Sequence, residues 1–228
     1  MTGRSGGARL ATRAGLSAAV AVAAAGVEVA TYPHWRPWCL HWGATTDEAS
    51  RALPGDDLLT KPQVVTTRAI GIQAPARLIW PWLVQMGPGR GGAYTYDWIE
   101  NLLGIYMHSA NQILPRYQDL KVGDGQQLGP RGPVLRVAVL EPEHALVFRS
   151  DDGNWVWAFV IEPAGDFTRL ISRNRIAASP SPLGRAATTY LMEPGSLIME
   201  RKMLIGIKER AERLAAAAAQ PGAASGQD

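Results

Sequence analysis

The run WVWAFVIEPAGDFTRLISRNRI, Trp155–Ile176, decides the fold of this chain. In its first half large and small apolar side chains alternate, and period-two alternation is typical of a β-strand with two distinct faces. Residues 164–166, Ala-Gly-Asp, are a turn signal before a second alternating run. Because a spacer this short joins antiparallel neighbours, the stretch predicts a hairpin of two long strands.

Further runs of the same kind extend this hairpin into a sheet. Strands are predicted at residues 64–73, 134–140, 145–150, 155–162 and 168–176. Helices are predicted at residues 75–86 with a kink at Pro81 and at 94–106. A final helix is predicted to end at residue 218, with Pro194-Gly195 marking either its start or a kink in it. This order of elements predicts an α+β protein with its helices on one face of an antiparallel sheet.

The chain divides into four parts on this interpretation. Residues 63–218 are expected to form the folded domain, and residues 219–228 a disordered tail. Residues 32–62, which we call the strap, are rich in Pro, Gly, Trp and acids. An irregular course is predicted for the strap, with one short helix starting near Thr46.

The first 31 residues allow two interpretations. Arg4, Arg9 and Arg13 precede an apolar run at residues 14–27, and aromatic residues follow it. That order is typical of a membrane anchor or a signal segment. The run is short and mostly Ala, however, so a poorly ordered or interfacial helix is the alternative. The protein is accordingly expected to be membrane-associated through this segment, or cytoplasmic.

Composition excludes several classes of function. The formal net charge is only +3 and the basic residues are scattered, which argues against a nucleic-acid partner. Cys39 is the only cysteine, so neither an intrachain disulfide nor a thiolate cluster can form. The four histidines lack the spacing of metal ligands, and the GPGRGG segment at residues 87–92 lacks the Lys of a phosphate-binding loop. Neither a metal nor an organic cofactor is expected.

Aromatic side chains mark one face of the predicted sheet. Trp155, Trp157 and Phe159 alternate with Val and Ala, and therefore point to the same side of their strand. Rings on the inner side of a curved sheet line either a packed core or a pocket, and the sequence does not separate the two. On the following strand Arg169, Arg173 and Arg175 share one face, which is expected to face solvent.

Glu200 is the most informative charged residue. At about 100° per residue it falls on the apolar side of the final helix, one turn before Met203. A carboxylate in that position must be paired, protonated or in contact with water in a cavity. Its expected partner is Arg68 on the first strand. Alternatively, a kink after Pro194-Gly195 turns Glu200 towards solvent.

Two more acids lie three residues apart on the second predicted helix. Asp97 and Glu100 fall on one side of that helix and could work as an acid–base pair. The alternative is a solvated helix face without chemistry.

Longer segments resemble a known superfamily. TRAIGIQAPARLIWPWLVQMGPGR (residues 67–90), GGAYTYDWIENLLG (91–104) and EPGSLIMERKMLIGIKERAE (193–212) are similar to the SRPBCC superfamily, and to one bacterial branch of it. The superfamily includes START-like, polyketide cyclase/dehydrase-like and birch-pollen-allergen-like proteins. The resemblance implies a helix-grip fold, in which a curved antiparallel sheet wraps around a long C-terminal helix with two short helices after the first strand. It transfers no catalytic residue, and Ala93 stands where many members have Trp.

Three functions remain on this basis. The first is binding of an apolar or amphipathic small molecule, such as a lipid, isoprenoid or polyketide, in an internal cavity. The second is a cyclase- or dehydratase-type enzyme that uses a buried acid there, with Tyr94, Tyr96 or Asn101 as hydrogen-bond partners. The third is a membrane-tethered interaction module with a packed core. A cavity of several hundred Å³ favours the first two.

Overall fold

Six antiparallel strands form one curved sheet. The computed structural model describes residues 26–28, 30–102 and 104–219. Its strands are β1 (Val64–Ile72), β2 (Gly125–Gln127), β3 (Val134–Glu141), β4 (Ala145–Ser150), β5 (Trp155–Ala164) and β6 (Phe167–Ile176). Their order across the sheet is β1-β6-β5-β4-β3-β2, so the first strand pairs with the last.

The helices lie before, between and after these strands. Residues 26–28 and 30–40 are helical, and we call this helix α1. The others are α2 (Thr46–Ser50), α3 (Ala76–Val84), α4 (Asp97–Leu102), α5 (Pro182–Ala187) and α6 (Glu193–Ala218). A π-helical turn at Thr188–Met192 connects α5 to α6.

The main core lies between α6 and the inner face of the sheet. On the sheet side Phe148 and Phe159 are fully buried, and on the helix side Leu204 and Ile207 are. Burial of each such side chain contributes about 1.5–3 kcal/mol to the free energy of folding. At Gly206 a Cβ atom would lie 2.5 Å from the carbonyl oxygen of Tyr94, so only glycine allows this approach of helix to loop. The α+β helix-grip prediction is confirmed.

The outer face of the sheet is also buried. Val156 and Val160 lie beneath the part of the strap from residue 43 to residue 59. At Gly43, in the left-handed region, a Cβ atom would lie 2.1 Å from the carbonyl oxygen of Ala69, so the strap follows β1 at backbone contact. The capping box of α2, formed by Thr45 and Glu48, fixes the next turn of the strap.

The strap overturns the prediction that the arginines of β6 face solvent. Arg173 is buried, and it donates to Thr67 Oγ1 at 3.0 Å, to Asp56 Oδ2 at 2.6 Å and to the Glu48 carbonyl at 2.6 Å. Arg169 pairs with Glu48 in the same layer. The alternation of side chains along β6 correctly places these arginines on the face opposite the core, but only the tertiary structure shows that the strap covers that face.

Two predicted elements differ in extent. The strap was expected to be irregular from residue 32, but residues 30–40 are helical because Tyr32 and Arg36 dock onto the start of α6. The helix predicted at residues 94–106 is limited to α4. Tyr94 (φ 59°) and Tyr106 (φ 54°) adopt left-handed backbone, through which an α-helix cannot continue.

Other predictions concern the ends of the chain or short elements. The membrane-anchor prediction concerns residues 1–31 and the tail prediction residues 219–228, and most of both ranges, residues 1–25, 29 and 220–228, lies outside the described residues. In the described part, none of the helices has an apolar stretch long enough to cross a membrane. The short strand β2 was not predicted, because Gly-Gln-Gln carries no apolar alternation.

Replacing Arg173 with Met tests the strap contacts. The variant should lose about 3 kcal/mol of unfolding free energy, because Asp56 and three strap carbonyls lose their partner while the side-chain volume is kept. Arg149→Met, at an exposed position of β4, should stay within about 0.5 kcal/mol of the unsubstituted protein. Urea unfolding of both variants checks this, and equal stabilities would show that the strap contacts are dispensable.

Candidate functional site

A cavity of about 480 Å³ lies between α6 and the inner face of the sheet. This volume is in the range of small-molecule sites in proteins. The cavity extends from β1, β5 and β6 to the π-helical turn and the loop before α4. Its apolar lining consists of Val64, Ala93, Pro133, Trp155, Trp157, Ile176, Met192, Met199 and Met203.

Two tryptophans form the aromatic wall of the cavity. The rings of Trp155 and Trp157 are stacked, with centroids 5.7 Å apart and planes at 16°. Their N–H groups donate to Asn174 Oδ1 at 2.8 Å and to Ser172 Oγ at 2.9 Å. Because both indole N–H groups already have hydrogen-bond partners on β6, the ring surfaces that face the cavity are apolar. Phe159 supports Trp157 from the core, 4.8 Å away, and does not line the cavity.

Arg68 and Glu200 form an ion pair at the cavity wall. Arg68 is fully buried, and its Nη1 donates to Glu200 Oε2. Its Nε donates to the carbonyl of Cys39 at 3.1 Å, and its Nη2 to Ser196 Oγ at 3.1 Å. This side chain therefore connects β1, the end of α1 and α6.

Glu200 has further partners on β6. Ser172 Oγ donates to Glu200 Oε1, and Asn174 Nδ2 lies 3.2 Å and 3.3 Å from the two carboxylate oxygens. A carboxylate with a cation, a hydroxyl and an amide is fully compensated. Glu200 is therefore a fixed polar part of the cavity wall. It is buried, so the alternative in which a kink turns it towards solvent is wrong.

The start of α6 carries a second compensated acid. Glu193 accepts from Arg36 at 2.7 Å and 2.9 Å, and from the hydroxyl of Tyr32 at 2.6 Å. Burial, together with the bond to Glu193, raises the pKa of Tyr32 well above its usual range. Glu193 lies seven residues before Glu200, on the same side of the helix, so the helical period alone could have indicated its position.

Asp97 and Glu100 separate in the structure. Asp97 accepts from the backbone N–H of Ser109 at 2.8 Å and from its hydroxyl at 2.6 Å, so it holds a loop. Glu100 is buried and lines the cavity beside Thr95. Burial raises the pKa of the Glu100 carboxyl; the Thr95 hydroxyl lowers it and the charge of Asp97 raises it further. They do not form an acid–base pair, and Glu100 is not on a solvated face.

The predicted hydrogen-bond partners do not reach the cavity. The hydroxyl of Tyr94 donates to the Trp82 carbonyl at 2.9 Å within the core. Asn101 bonds to the backbone N–H and carbonyl of Met107, at 2.8 Å and 2.9 Å. Tyr96 is partly exposed and also lies outside the lining. The prediction assumed a helix through these residues, but Tyr94 has a left-handed backbone conformation, so the side chains of this loop do not follow helical spacing.

The remaining predicted site residues do line the cavity. Trp155, Trp157, Glu200 and Met203 are part of its wall. Asn174 and Ser150 were missed, although the alternation of β6 places Asn174 on the inner face. In the described ranges no three His, Cys, Asp or Glu side chains are grouped to hold a metal ion.

Comparisons with known proteins concern the fold. No protein-family model matches the sequence, and no curated protein matches it. The solved structure of the KanY protein is 15% identical with a TM-score of 0.44, covering 67% of this chain and 99% of that one. A Rhodobacter sphaeroides protein is 18% identical with a TM-score of 0.41, covering 67% and 92%. A polyketide_cyc-like protein from Corynebacterium glutamicum is 15% identical with a TM-score of 0.34, covering 70% and 96%.

Fold and cavity together define the class of protein. A sheet wrapped around a long C-terminal helix with a cavity between them is a helix-grip protein. This is the fold that the resemblance to the SRPBCC superfamily implies. Because the identities are low and the superpositions partial, the solved structures indicate neither a ligand nor a reaction for this chain.

A double-mutant cycle tests the ion pair. Glu200→Gln should lower the unfolding free energy by about 3–5 kcal/mol, because Arg68 is left buried without its counter-charge. Arg68→Met should cost a similar amount, and the double variant should cost clearly less than the sum. Glu209→Gln, at an exposed position of α6, is the matched control and should have little effect. Additive losses in urea unfolding would contradict the pairing.

The pH dependence of stability tests the environment of Glu100. Near pH 4 the Glu100→Gln variant and the unsubstituted protein should differ little, because below the ordinary value of 4.5 the carboxyl is protonated in both states. Above pH 4.5 the unfolded chain ionises first, while burial resists ionisation in the folded protein. The unsubstituted protein should therefore lose stability relative to the variant until the raised pKa is passed.

Thermal unfolding between pH 4 and pH 8 measures this difference. Glu209→Gln should follow the unsubstituted protein throughout, because Glu209 is exposed. A Glu100→Gln curve parallel to that of the unsubstituted protein would rule out a carboxyl whose ionisation is opposed by burial.

Proposed function

We propose that this protein binds an apolar or amphipathic small molecule, of lipid, isoprenoid or polyketide type, in the cavity beneath α6. The observation that carries the proposal is an interior space of about 480 Å³ with aromatic and methionine walls. Protein interiors are otherwise packed to crystal density, whereas the apolar walls of this cavity lack such contacts and are open to water at the rim. A ligand that fills it restores the missing contacts.

The lining suits a mainly apolar molecule. Each methylene group that moves from water into such a site gains about 0.8 kcal/mol. Met192, Met199 and Met203 are unbranched and adaptable, so they can follow ligands of somewhat different shape. The flat surfaces of Trp155 and Trp157 offer stacking to rings or conjugated chains.

The rim provides a route of entry. Met192 is both an exposed residue and part of the lining, and the exposed Asp152 and Asn154 stand at the rim of the cavity. The π-helical turn ends at Met192, and such turns are frequent at functional sites because their backbone is irregular.

A cyclase- or dehydratase-type enzyme is the second candidate, and Glu100 is the observation that favours it. This buried carboxyl in the cavity could donate a proton to a ligand oxygen, since burial raises its pKa. The cavity weighs against the third alternative, an interaction module with a packed core.

Native mass spectrometry of the protein purified from its own host tests the proposal. A co-purifying molecule with the mass of a small apolar compound is expected. Incubation of that molecule with the protein separates the candidates, because a binding protein returns it unchanged and an enzyme alters its mass. Repeated absence of any bound molecule, together with no binding of apolar probes, would contradict both.

Trp157→Ala should weaken ligand binding at least tenfold, because the variant removes half of the stacked wall. Quenching of the remaining tryptophan emission by the co-purified molecule measures the affinity. Trp98→Ala is the control, since Trp98 is 69% exposed and lies outside the cavity lining. This variant should bind the co-purified molecule with unchanged affinity. If Trp157→Ala loses stability but binds with full affinity, the rings are core packing.

A further inference from the structure

The charged groups that line the cavity all carry the same sign. Among the described lining residues are the four carboxyl groups of Glu100, Asp152, Glu193 and Glu200, and no Lys, Arg or His. The potential inside the cavity is set by these acids and by what compensates each of them.

Three of the four acids are compensated by protein groups. Arg36 and Arg68 neutralise Glu193 and Glu200, and neither guanidinium is part of the lining. At the rim, Asp152 accepts from Ser150 Oγ at 2.6 Å and from Asn154 in the turn. Its charge therefore lies at the solvent edge of the cavity.

Glu100 is the remaining acid, and it differs from the others. It is 7% exposed, and its Oε2 has no hydrogen-bond partner among the described residues. The buried hydroxyl oxygen of Thr95, which also lines the cavity, lies close enough to the Glu100 carboxyl to lower its pKa, but the two groups do not form a hydrogen bond of normal geometry. Buried polar atoms without partners cost folding free energy and are uncommon in native proteins. Glu100 and Thr95 therefore leave a polar position in the cavity wall that a hydrogen-bonding group inside the cavity can occupy.

A carboxylate that lacks a donor selects its partner by charge. The Glu100 carboxyl accepts a hydrogen bond from a hydroxyl or an ammonium group, and an ammonium group also favours its ionised form; in that form it repels a carboxylate or phosphate. The cavity has no cation in its described lining to offset that repulsion, and Asp97 adds a further negative charge near Glu100. Apolar molecules with an anionic end are thus disfavoured.

We propose, on the basis of the binding function above, that Glu100 and Thr95 form a polar subsite for the hydrogen-bond-donating end of the ligand. The ligand class is then an apolar alcohol or amine whose body lies against Trp155 and Trp157. Fatty acids and lipid phosphates are disfavoured, because they would bring a further negative charge beside Glu100 and Asp97.

Three probes of equal chain length test this selectivity: dodecanol, dodecylamine and dodecanoate, titrated at neutral pH with tryptophan emission as the signal. Dodecanol and dodecylamine should bind the unsubstituted protein at least tenfold more tightly than dodecanoate. Equal or tighter binding of dodecanoate would overturn the subsite, and this comparison does not depend on the folding of any variant.

The Glu100→Gln variant assigns the selectivity to one carboxyl. The amide keeps the shape and an acceptor but loses the charge. The affinity for dodecylamine should therefore fall about tenfold, the affinity for dodecanoate should rise, and the affinity for dodecanol should change less than about threefold. Glu209→Gln removes the same charge from the exposed side of α6 and should leave all three affinities unchanged. An unchanged ratio of amine to acid in Glu100→Gln would overturn the assignment.

The outcomes separate the two proposals. If none of the three probes binds the unsubstituted protein and no molecule co-purifies, the binding function itself fails. If the probes bind without regard to their polar ends, the binding function stands and the subsite fails. Thermal unfolding of each variant confirms that the compared proteins are folded.

Discussion

The structure depends on the neutralisation of one buried charge. Arg68 has no access to water, and a guanidinium in that position is tolerated only when its donors are satisfied and its charge is balanced. Glu200 on α6 balances it, Cys39 at the end of α1 accepts one donor, and Ser172 and Asn174 hold the carboxylate from the sheet. This network fixes where the long helix crosses the strands, because a shift of one helical turn would leave the charge unpaired.

The same network explains why a cavity exists at this end of the sheet. Polar groups occupy the inner face of β6 at the positions where apolar side chains would otherwise meet the helix. On α6, Ser196 and Met203 line the cavity without filling it. Trp155 and Trp157 are held against β6 by hydrogen bonds from their N–H groups, so their rings form a wall of the cavity and do not fill it either. Residues that serve the ion pair thus occupy positions that a packed core would give to large apolar side chains, and the space left between helix and sheet is available to a ligand.

Local patterns in the sequence account for much of the fold and part of the site. The alternation around Trp157 predicts the strands, and an acid on the apolar side of a helix requires a partner, which points to Arg68 for Glu200. What could not be predicted depends on segments far apart in the chain. Arg173 is on the predicted face but beneath the strap, and helix α1 is held by a bond to Glu193, 161 residues from Tyr32. Nor can alternation distinguish an aromatic core from an aromatic cavity wall.

The pairing of β1 with β6 sets the order in which the protein can fold during synthesis. Val64 lies opposite Ile176, so the first strand leaves the ribosome on the order of ten seconds before its partner at ordinary elongation rates. In that interval β1 has neither its hydrogen-bonded neighbour nor the carboxylate that balances Arg68. The hairpins from β3 to β6 form from consecutive segments, whereas the N-terminal strand joins them last. Nascent chains of this protein therefore expose β1 to chaperones and proteases for longest, although it is the first strand to be made.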